Sequence, residues 1–387
     1  MELTFSELLD QLRLSQIFTS QQLDLLVPLS ADCQPNETSD LVQQWVSEEK
    51  LSSFQANKIL SRQAASLVIG PYVLLRPLAT GGMGQVYLAR STQQRKSLVA
   101  VKLLATGFSD HPGYLKRFKR EVDLLRRLNH PSIVSVIDSG TSGNGMPYSV
   151  SVPYLVTEYI EGPTLSEYVL GQGTLAWQSA LRLIRKLAIA LDHAHQSQVL
   201  HRDIKPSNII LISNGGIKLL DFGLASCLSS NQTASKLTMT GDVLGTIDFA
   251  APEQATGGAA TIHSDIYSIG CTLYYCLCGR PPYRRSSSME VARAHCFAPL
   301  PTLPAEFDGP IAMQELLNGL FAKSPSDRIQ SADQLSHAID GLLNYAKNSG
   351  GRADEVELPD NQERDAWTET EFRDAPLPPL SHERSRP

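Results

Sequence analysis

The sequence has no long apolar run, no paired cysteines and no strong excess of one charge, and each absence removes a class of function. The longest apolar stretch, around Ile266 to Cys278, is too short and too mixed to span a bilayer. It reads as a buried core helix. Glu2, Glu7 and Asp10 interrupt the start of the chain, unlike a secretion signal. The six cysteines are Cys33, Cys227, Cys271, Cys276, Cys278 and Cys296; they form no Cys-x-x-Cys pair and no cluster at zinc spacing. Reduced, packed thiols are the expectation. Net charge is −6, and the stretch from Lys347 onward holds six basic and ten acidic side chains. Most of the acidity therefore sits in that tail, and the near-neutral remainder argues against nucleic acid as a partner.

What is present falls into regions. With 387 residues, 42% of them hydrophobic, the chain can bury one large core or two medium ones. Residues 1 to about 65 read as helical, and a weak repeat appears at an offset of 33. Ser6 to Gln11 aligns with Ser39 to Gln44, and Thr19 to Gln22 with Ser52 to Gln55. Thr19 and Ser52 have the look of helix N-caps, so two helical hairpins are expected. From Gly70 the pattern turns to strands, at Tyr72–Leu75, Gln85–Ala89, Leu98–Lys102, Ile133–Asp138 and Tyr154–Tyr159. A helix is expected over Phe118–Leu128, with Glu121, Leu125 and Leu128 on one face, and a Gly/Ser-rich loop over Thr141–Pro153. After Gly162 the chain becomes mostly helical. The expected division is a helical extension over 1–69, a small strand-rich lobe over 70–158, a larger helical lobe over 159–345 and a disordered acidic, proline-rich tail over 346–387.

A series of segments carries chemistry. Leu78, Ala79, Thr80, Gly81, Gly82, Met83, Gly84, Gln85 and Val86 form a glycine-rich turn between two strands. Glycines there let backbone N–H groups approach phosphate oxygens. No Gly-Lys-Ser/Thr follows, so this is not a Walker-type loop. Lys102 ends the next strand, where an ammonium is able to hold phosphates, and Glu121 on the following helix is a candidate to hold that ammonium. His201-Arg202-Asp203-Ile204-Lys205-Pro206-Ser207-Asn208 supplies a carboxylate for a hydroxyl proton, a lysine for transferring charge and an amide for a metal ion. Asp221-Phe222-Gly223 adds a second metal-binding carboxylate, and Ala251-Pro252-Glu253 closes the order.

From about Gly70 to Leu343 these motifs, in this order and spacing, resemble the eukaryotic-type serine/threonine protein kinase family as found in bacteria. The resemblance implies an α+β, two-lobed kinase fold, here with an N-terminal helical extension. It implies ATP and Mg²⁺ as cofactors, with Mn²⁺ as a substitute. By the same resemblance Lys102 contacts the first two phosphates and pairs with Glu121, Asp203 is the catalytic base, and Asn208 and Asp221 bind the metal ions. Thr157 guards the back of the adenine pocket, the backbone of Glu158 and Ile160 bonds adenine, and Val86, Ala100 and Ile210 sandwich its ring. Leu125, Val136, His201, Phe222 and Asp265 form an internal stack, and Arg328 pairs with Glu253. Lys205 and Thr246 go with Ser/Thr specificity. Arg202 is expected to receive a phosphate on Thr238 or Thr240 of the activation loop. Protein substrates bearing Ser or Thr are the expected partners, with self-association through that loop or through residues 1–65. Many bacterial members carry a membrane anchor after the catalytic domain; none follows here, so a cytoplasmic location is expected. One position departs from the family: Ala79 replaces the first loop glycine. A non-catalytic scaffold would be expected to lose one of Lys102, Glu121, Asp203, Asn208 and Asp221, and all are kept. Leader segments ending in a motif like Leu51-Ser52-Ser53-Phe54-Gln55-Ala56 occur in some bacterial kinases; the sequence does not disclose their role. His193 and His195 are expected to be packed or solvated, and Cys276 and Cys278 to serve core packing.

Overall fold

Alternation of buried and exposed side chains organises the small lobe. The structure is a computed structural model that describes residues 3–26, 37–81, 84–93, 97–104, 112–142, 152–213, 215–222 and 247–348. Strands β1 (Val68–Ile69), β2 (Tyr72–Gly81), β3 (Gly84–Ser91), β4 (Leu98–Leu104), β5 (Val136–Ser142) and β6 (Val152–Glu158) form one sheet in the order β1-β2-β3-β4-β6-β5. Every neighbouring pair is antiparallel. Period-two alternation then divides the sheet. Tyr87, Ala89, Val99, Val101, Leu103, Tyr154 and Val156 belong to one apolar cluster. Val86, Ala100, Lys102 and Thr157 lie on the opposite face by register.

Four helices cover the apolar face. They are α1 (Phe5–Ser15), α2 (Ser20–Leu26), α3 (Glu37–Ser47) and α4 (Ser53–Leu60). Their starts reproduce the offset of 33 to within one residue. The caps are those the sequence suggested: Thr19 Oγ1 accepts from the Gln22 N–H at 3.2 Å and Ser52 Oγ from the Gln55 N–H at 3.1 Å. Leu8, Leu12, Val42, Trp45, Ala56 and Ile59 are buried in the same cluster as the sheet residues. Full burial of each large aliphatic side chain among them contributes roughly 2 kcal/mol. Polar contacts lock the hairpins together: Thr38 Oγ1 donates to the Leu3 carbonyl at 2.9 Å, and the Ala64 N–H donates to Gln11 Oε1 at 3.1 Å.

Two boundaries differ from the sequence expectation for visible reasons. Helix α5 runs Pro112–Leu125. Beyond it the Arg127 and Leu128 N–H groups bond to carbonyls three residues back, at 3.1 Å each, so the helix tightens and ends before Leu128. Strand β5 starts at Val136 because the residues before it pair elsewhere: Val134 N–H donates to Leu219 O, and Leu219 N–H to Ser132 O.

The large lobe is built from α6 (Leu165–Gln172), α7 (Trp177–Gln196), the hairpin β7 (Ile209–Leu211) and β8 (Ile217–Leu219), and α8 (Pro252–Ala255), α9 (Ile262–Cys278), α10 (Ser288–Phe297), α11 (Ala312–Phe321) and α12 (Ala332–Asn348). All residues of α9 from Ser264 to Leu277 are buried, as a helix apolar on every side requires. Among the described residues no helix is long and apolar enough to cross a membrane. Cys271 and Cys276 are buried free thiols, and burial pushes Cys276 up to about 12, which suits packing rather than reactivity. Cys33, Cys227, the centre of the expected loop over 141–153 and the tail beyond Asn348 lie outside the described residues.

Candidate active site

Register places the small-lobe groups. Lys102 of β4 stands opposite Val86 of β3 and Leu155 of β6, and Ala100 stands opposite Leu88 and Thr157. Side chains two apart on a strand share a face, so Val86, Ala100, Lys102 and Thr157 point the same way. At the base of the glycine-rich hairpin, Gly84 has φ 137°, and a Cβ there would run into the Leu103 carbonyl oxygen. No other residue fits that approach. Ala79 is exposed at a register shift of β2, so its extra methyl meets no packing penalty. Gly82 and Met83 lie outside the described residues.

One buried carboxylate fixes the start of the loop from His201 to Asn208. Asp265 of α9 is 1% exposed; its Oδ2 accepts the His201 N–H at 3.0 Å and its Oδ1 the Arg202 N–H at 2.8 Å. His195 Nε2 reaches the same Oδ2 at 2.9 Å, so this histidine is packed for a purpose the sequence did not disclose. His201 Nε2 lies 2.7 Å from the Leu220 carbonyl, so Nε2 carries the proton and Nδ1 accepts the Asp203 N–H at 3.3 Å. Complete burial lowers the His201 pKa against its acidic neighbours and keeps the ring neutral. The Phe222 ring packs 4.6 Å from it, and Leu125 and Phe222 share the large-lobe core with Val136 against its edge. Arg202 and Asp221 hold φ values of 69° and 58°. Left-handed backbone at such residues costs about 1–3 kcal/mol and survives only where the surroundings over-determine it.

The acidic and basic groups converge below this frame. Lys205 Nζ lies 2.9 Å from Asp203 Oδ2. Asn208 Nδ2 donates to the Asp203 carbonyl at 2.8 Å and to its Oδ2 at 3.2 Å. The register of β7 with β8 puts Asn208 beside Leu220, whose N–H bonds the Asn208 carbonyl at 2.9 Å, so Asp221 arrives next to Asn208. Lys102 Nζ pairs with Asp221 Oδ1 at 2.8 Å. Lost hydration alone would raise the Asp221 pKa; the Lys102 ammonium, helped by Lys205, outweighs that and holds it below the ordinary value. The ion pair drawn between the lobes thus runs from Lys102 to Asp221, while Glu121 sits half-buried on α5.

Glu158 and the expected Arg328–Glu253 pair are each held by bonds from distant parts of the chain. The Glu158 N–H donates to Ser135 O at 3.0 Å, and Glu158 Oε1 accepts from Ser135 N–H at 2.8 Å and Lys218 Nζ at 2.6 Å. Lost hydration opposes that carboxylate, and Lys218 and Ser135 lower its pKa overall. Ile160 follows, partly buried, and Gly162 has φ 147° where a Cβ would strike the Leu211 carbonyl. That close approach brings Ile210 under the segment after the hinge. Arg328 holds Glu253 through two bonds of 2.8 Å, and Ser264 Oγ adds a third at 2.6 Å. Gln254 Nε2 donates to the Arg202 carbonyl at 2.9 Å. Sequence reasoning missed Gln254, Lys218 and the side-chain role of Glu158, because each acts through a partner distant in sequence. Gly223, Thr238, Thr240 and Thr246 lie outside the described residues.

Asn208 and Asp221, the expected metal ligands, offer hard oxygen donors, one amide and one carboxylate. That set suits Mg²⁺, which keeps waters and phosphate oxygens as its remaining ligands. Among the described residues no cluster of three or more His, Cys, Asp or Glu makes a closed metal cage.

Comparison with known proteins agrees with this geometry. Residues 72–339 match the family described as "Protein kinase domain". The serine/threonine-protein kinase PrkC of Bacillus subtilis is 37% identical over 273 residues, covering 70% of this chain and 40% of that protein. The serine/threonine-protein kinase PknB of Mycolicibacterium smegmatis is 37% identical over 267 residues, 68% of this chain and 41% of that protein. PknB of Mycobacterium tuberculosis is 35% identical over 266 residues, 68% and 41%. The chain spans about two-fifths of the length of these relatives. With the match covering more than half of the chain and the lobes, loop and Arg328–Glu253 pair in place, the chain belongs to the protein kinase domain family.

Proposed function

We propose that this chain transfers the γ-phosphoryl group of ATP to serine and threonine hydroxyls of proteins, in the presence of Mg²⁺ or Mn²⁺. The observation that carries the reading is the convergence of two ion pairs, Lys102–Asp221 and Lys205–Asp203, with Asn208 bonded to Asp203 between them. Phosphoryl transfer needs positioned charge more than covalent chemistry, and these groups supply it. The acceptor hydroxyl loses its proton to the Asp203 carboxylate as its oxygen bonds to phosphorus. The bond from phosphorus to the ADP oxygen breaks, and Lys205 offsets charge on the group in transit. Lys102 leaves Asp221 for the first two phosphates, with Glu121 as its second carboxylate. A metal ion held by Asn208 and Asp221 would neutralise phosphate charge. Val86, Ala100 and Ile210 enclose adenine, Thr157 limits the depth of the pocket, and the backbone at Glu158 and Ile160 supplies its hydrogen bonds.

Lys205, two residues after Asp203, supports Ser/Thr specificity, with Thr246 as its expected companion. Regulation by phosphate at Thr238 or Thr240 is supported by Arg202: among the described residues its buried Nη1 has no hydrogen-bond partner, and a phosphate would provide one. Self-association in this reading brings one copy's activation loop to another's cleft. The absence of a membrane-crossing helix among the described residues is compatible with a cytoplasmic site of action.

The test is transfer of labelled phosphate from ATP to a general Ser/Thr acceptor protein. Label on serine or threonine is expected from the wild type and should vanish in Asp203→Asn. Undiminished labelling by that variant would overturn the assignment. Phosphopeptide mapping that found no phosphate between residues 223 and 250 would remove the autoactivation part alone.

A further inference from the structure

The motif Leu51 to Ala56 lies outside the matched family region, yet all of its side chains except that of exposed Ser53 reach the sheet or its core. Leu51 and Ala56 are buried in the apolar cluster shared with β3 and β4. Ser52 caps α4 and also donates from Oγ to the Leu75 carbonyl at 2.5 Å. Gln55 completes the capping box and donates from Nε2 to the Leu74 carbonyl at 2.9 Å, in a buried position. Phe54 packs on the Tyr87 ring at 5.6 Å, and the Tyr87 hydroxyl bonds Gln85 in the glycine-rich hairpin.

The two carbonyls are not arbitrary acceptors. On β2, Leu74 pairs with Ala89 and Arg76 with Leu88, so Leu75 is an extra residue, a β-bulge. A bulge leaves ladder groups without strand partners, bends the strand and re-aims the residues beyond it. On β2 those residues lead into the hairpin from Leu78 to Gly84. Buried carbonyls need partners, and α4 provides them.

We infer that the capping box of α4, Ser52 and Gln55 with Phe54, is a positioning clamp on the β2 bulge that aims the nucleotide-binding hairpin. The inference rests on the proposed nucleotide role of that hairpin. It assigns residues outside the family match a part in ATP binding, through the strand and not by contact with the nucleotide.

The internal repeat supplies the control. Thr19 and Gln22 make the same capping box on α2, with a Thr19 N–H bond to Gln22 Oε1 of 2.9 Å and no β2 carbonyl among their hydrogen-bond partners. Loss of either cap weakens its helix alike. Only loss of the Ser52 or Gln55 bonds should disturb the hairpin. The experiment measures KM for ATP, kcat, KM for the protein acceptor and melting temperature in the full chain. Ser52→Ala and Gln55→Met should raise KM for ATP about five-fold, the equivalent of one net hydrogen bond, with kcat and acceptor KM within about two-fold. Ser52→Thr should restore the wild-type KM, and Thr19→Ala should lower the melting temperature without changing KM. If Ser52→Ala fails to fold, Gln55→Met, which keeps the side-chain volume, carries the test. Unchanged KM for ATP in the folded Ser52 and Gln55 variants overturns the clamp, as does an equal rise in Thr19→Ala. Titration with a fluorescent ATP analogue separates the two failures: a wild type that binds no nucleotide refutes the proposed function, whereas a wild type and variants that bind equally well refute only the clamp.

Discussion

The two faces of the six-stranded sheet are made of the same strands and do different work. The inner face carries Val86, Ala100, Lys102 and Thr157 toward the large lobe; the outer face carries Tyr87, Val99, Val101 and Val156 under four helices. Motifs announce the inner face, whereas only packing reveals the outer one. The difference teaches that the helical leader is not an attachment. Its apolar side and the sheet's outer side form one core, and the polar cap of α4 holds a strand whose other end reaches the glycine-rich hairpin. The self-association expected through residues 1–65 cannot use the apolar sides that this core buries.

The comparison breaks most visibly at Lys102. Lys102→Ala removes the inner-face charge and should lower kcat/KM by about 100- to 1,000-fold while the melting temperature stays near that of the wild type; steady-state assays showing less than a tenfold loss would contradict the inner-face role. Trp45→Ala attacks the outer layer. It should cost about 3–5 kcal/mol in denaturant unfolding, and a loss below about 1 kcal/mol would mean that the helices do not share the core. Acid distinguishes sheet from large lobe. His295 is wholly buried, its Nδ1 3.0 Å from the Tyr267 hydroxyl, and burial together with nearby Lys323 lowers its pKa to about 3. The unfolded chain binds this proton below about pH 6.5 and the folded chain does not, so stability falls as pH drops from 6.5 toward 3. At pH 5 the loss is about 2 kcal/mol, and His295→Gln should flatten that pH dependence. The smallest effect is Thr19→Ala, about 1 kcal/mol of stability, with activity unchanged in the same assay.

Much of this was legible in the sequence where a local rule suffices. The 33-residue offset and the caps at Thr19 and Ser52 located four helices, because capping is a contact between residues three apart. The loop from His201 to Asn208 disclosed its chemistry because its groups are neighbours in the chain. Boundaries set by tertiary pairing were not legible: Ile133 to Ser135 read as strand, yet pair with β8 and the hinge. Nor were Asp265 as the clasp of the catalytic loop's backbone, Lys218 on Glu158, or Gln55 on Leu74, since each joins groups that only the fold brings together.

The most direct measurement of the shared core is native-state hydrogen exchange on the full chain, comparing amides of α4 with those of β3 and β4 at increasing denaturant. If helices and sheet are one cooperative unit, their opening free energies and denaturant slopes coincide. Helices that open at low free energy while the strands stay protected would show that the leader rests on the sheet without being part of it.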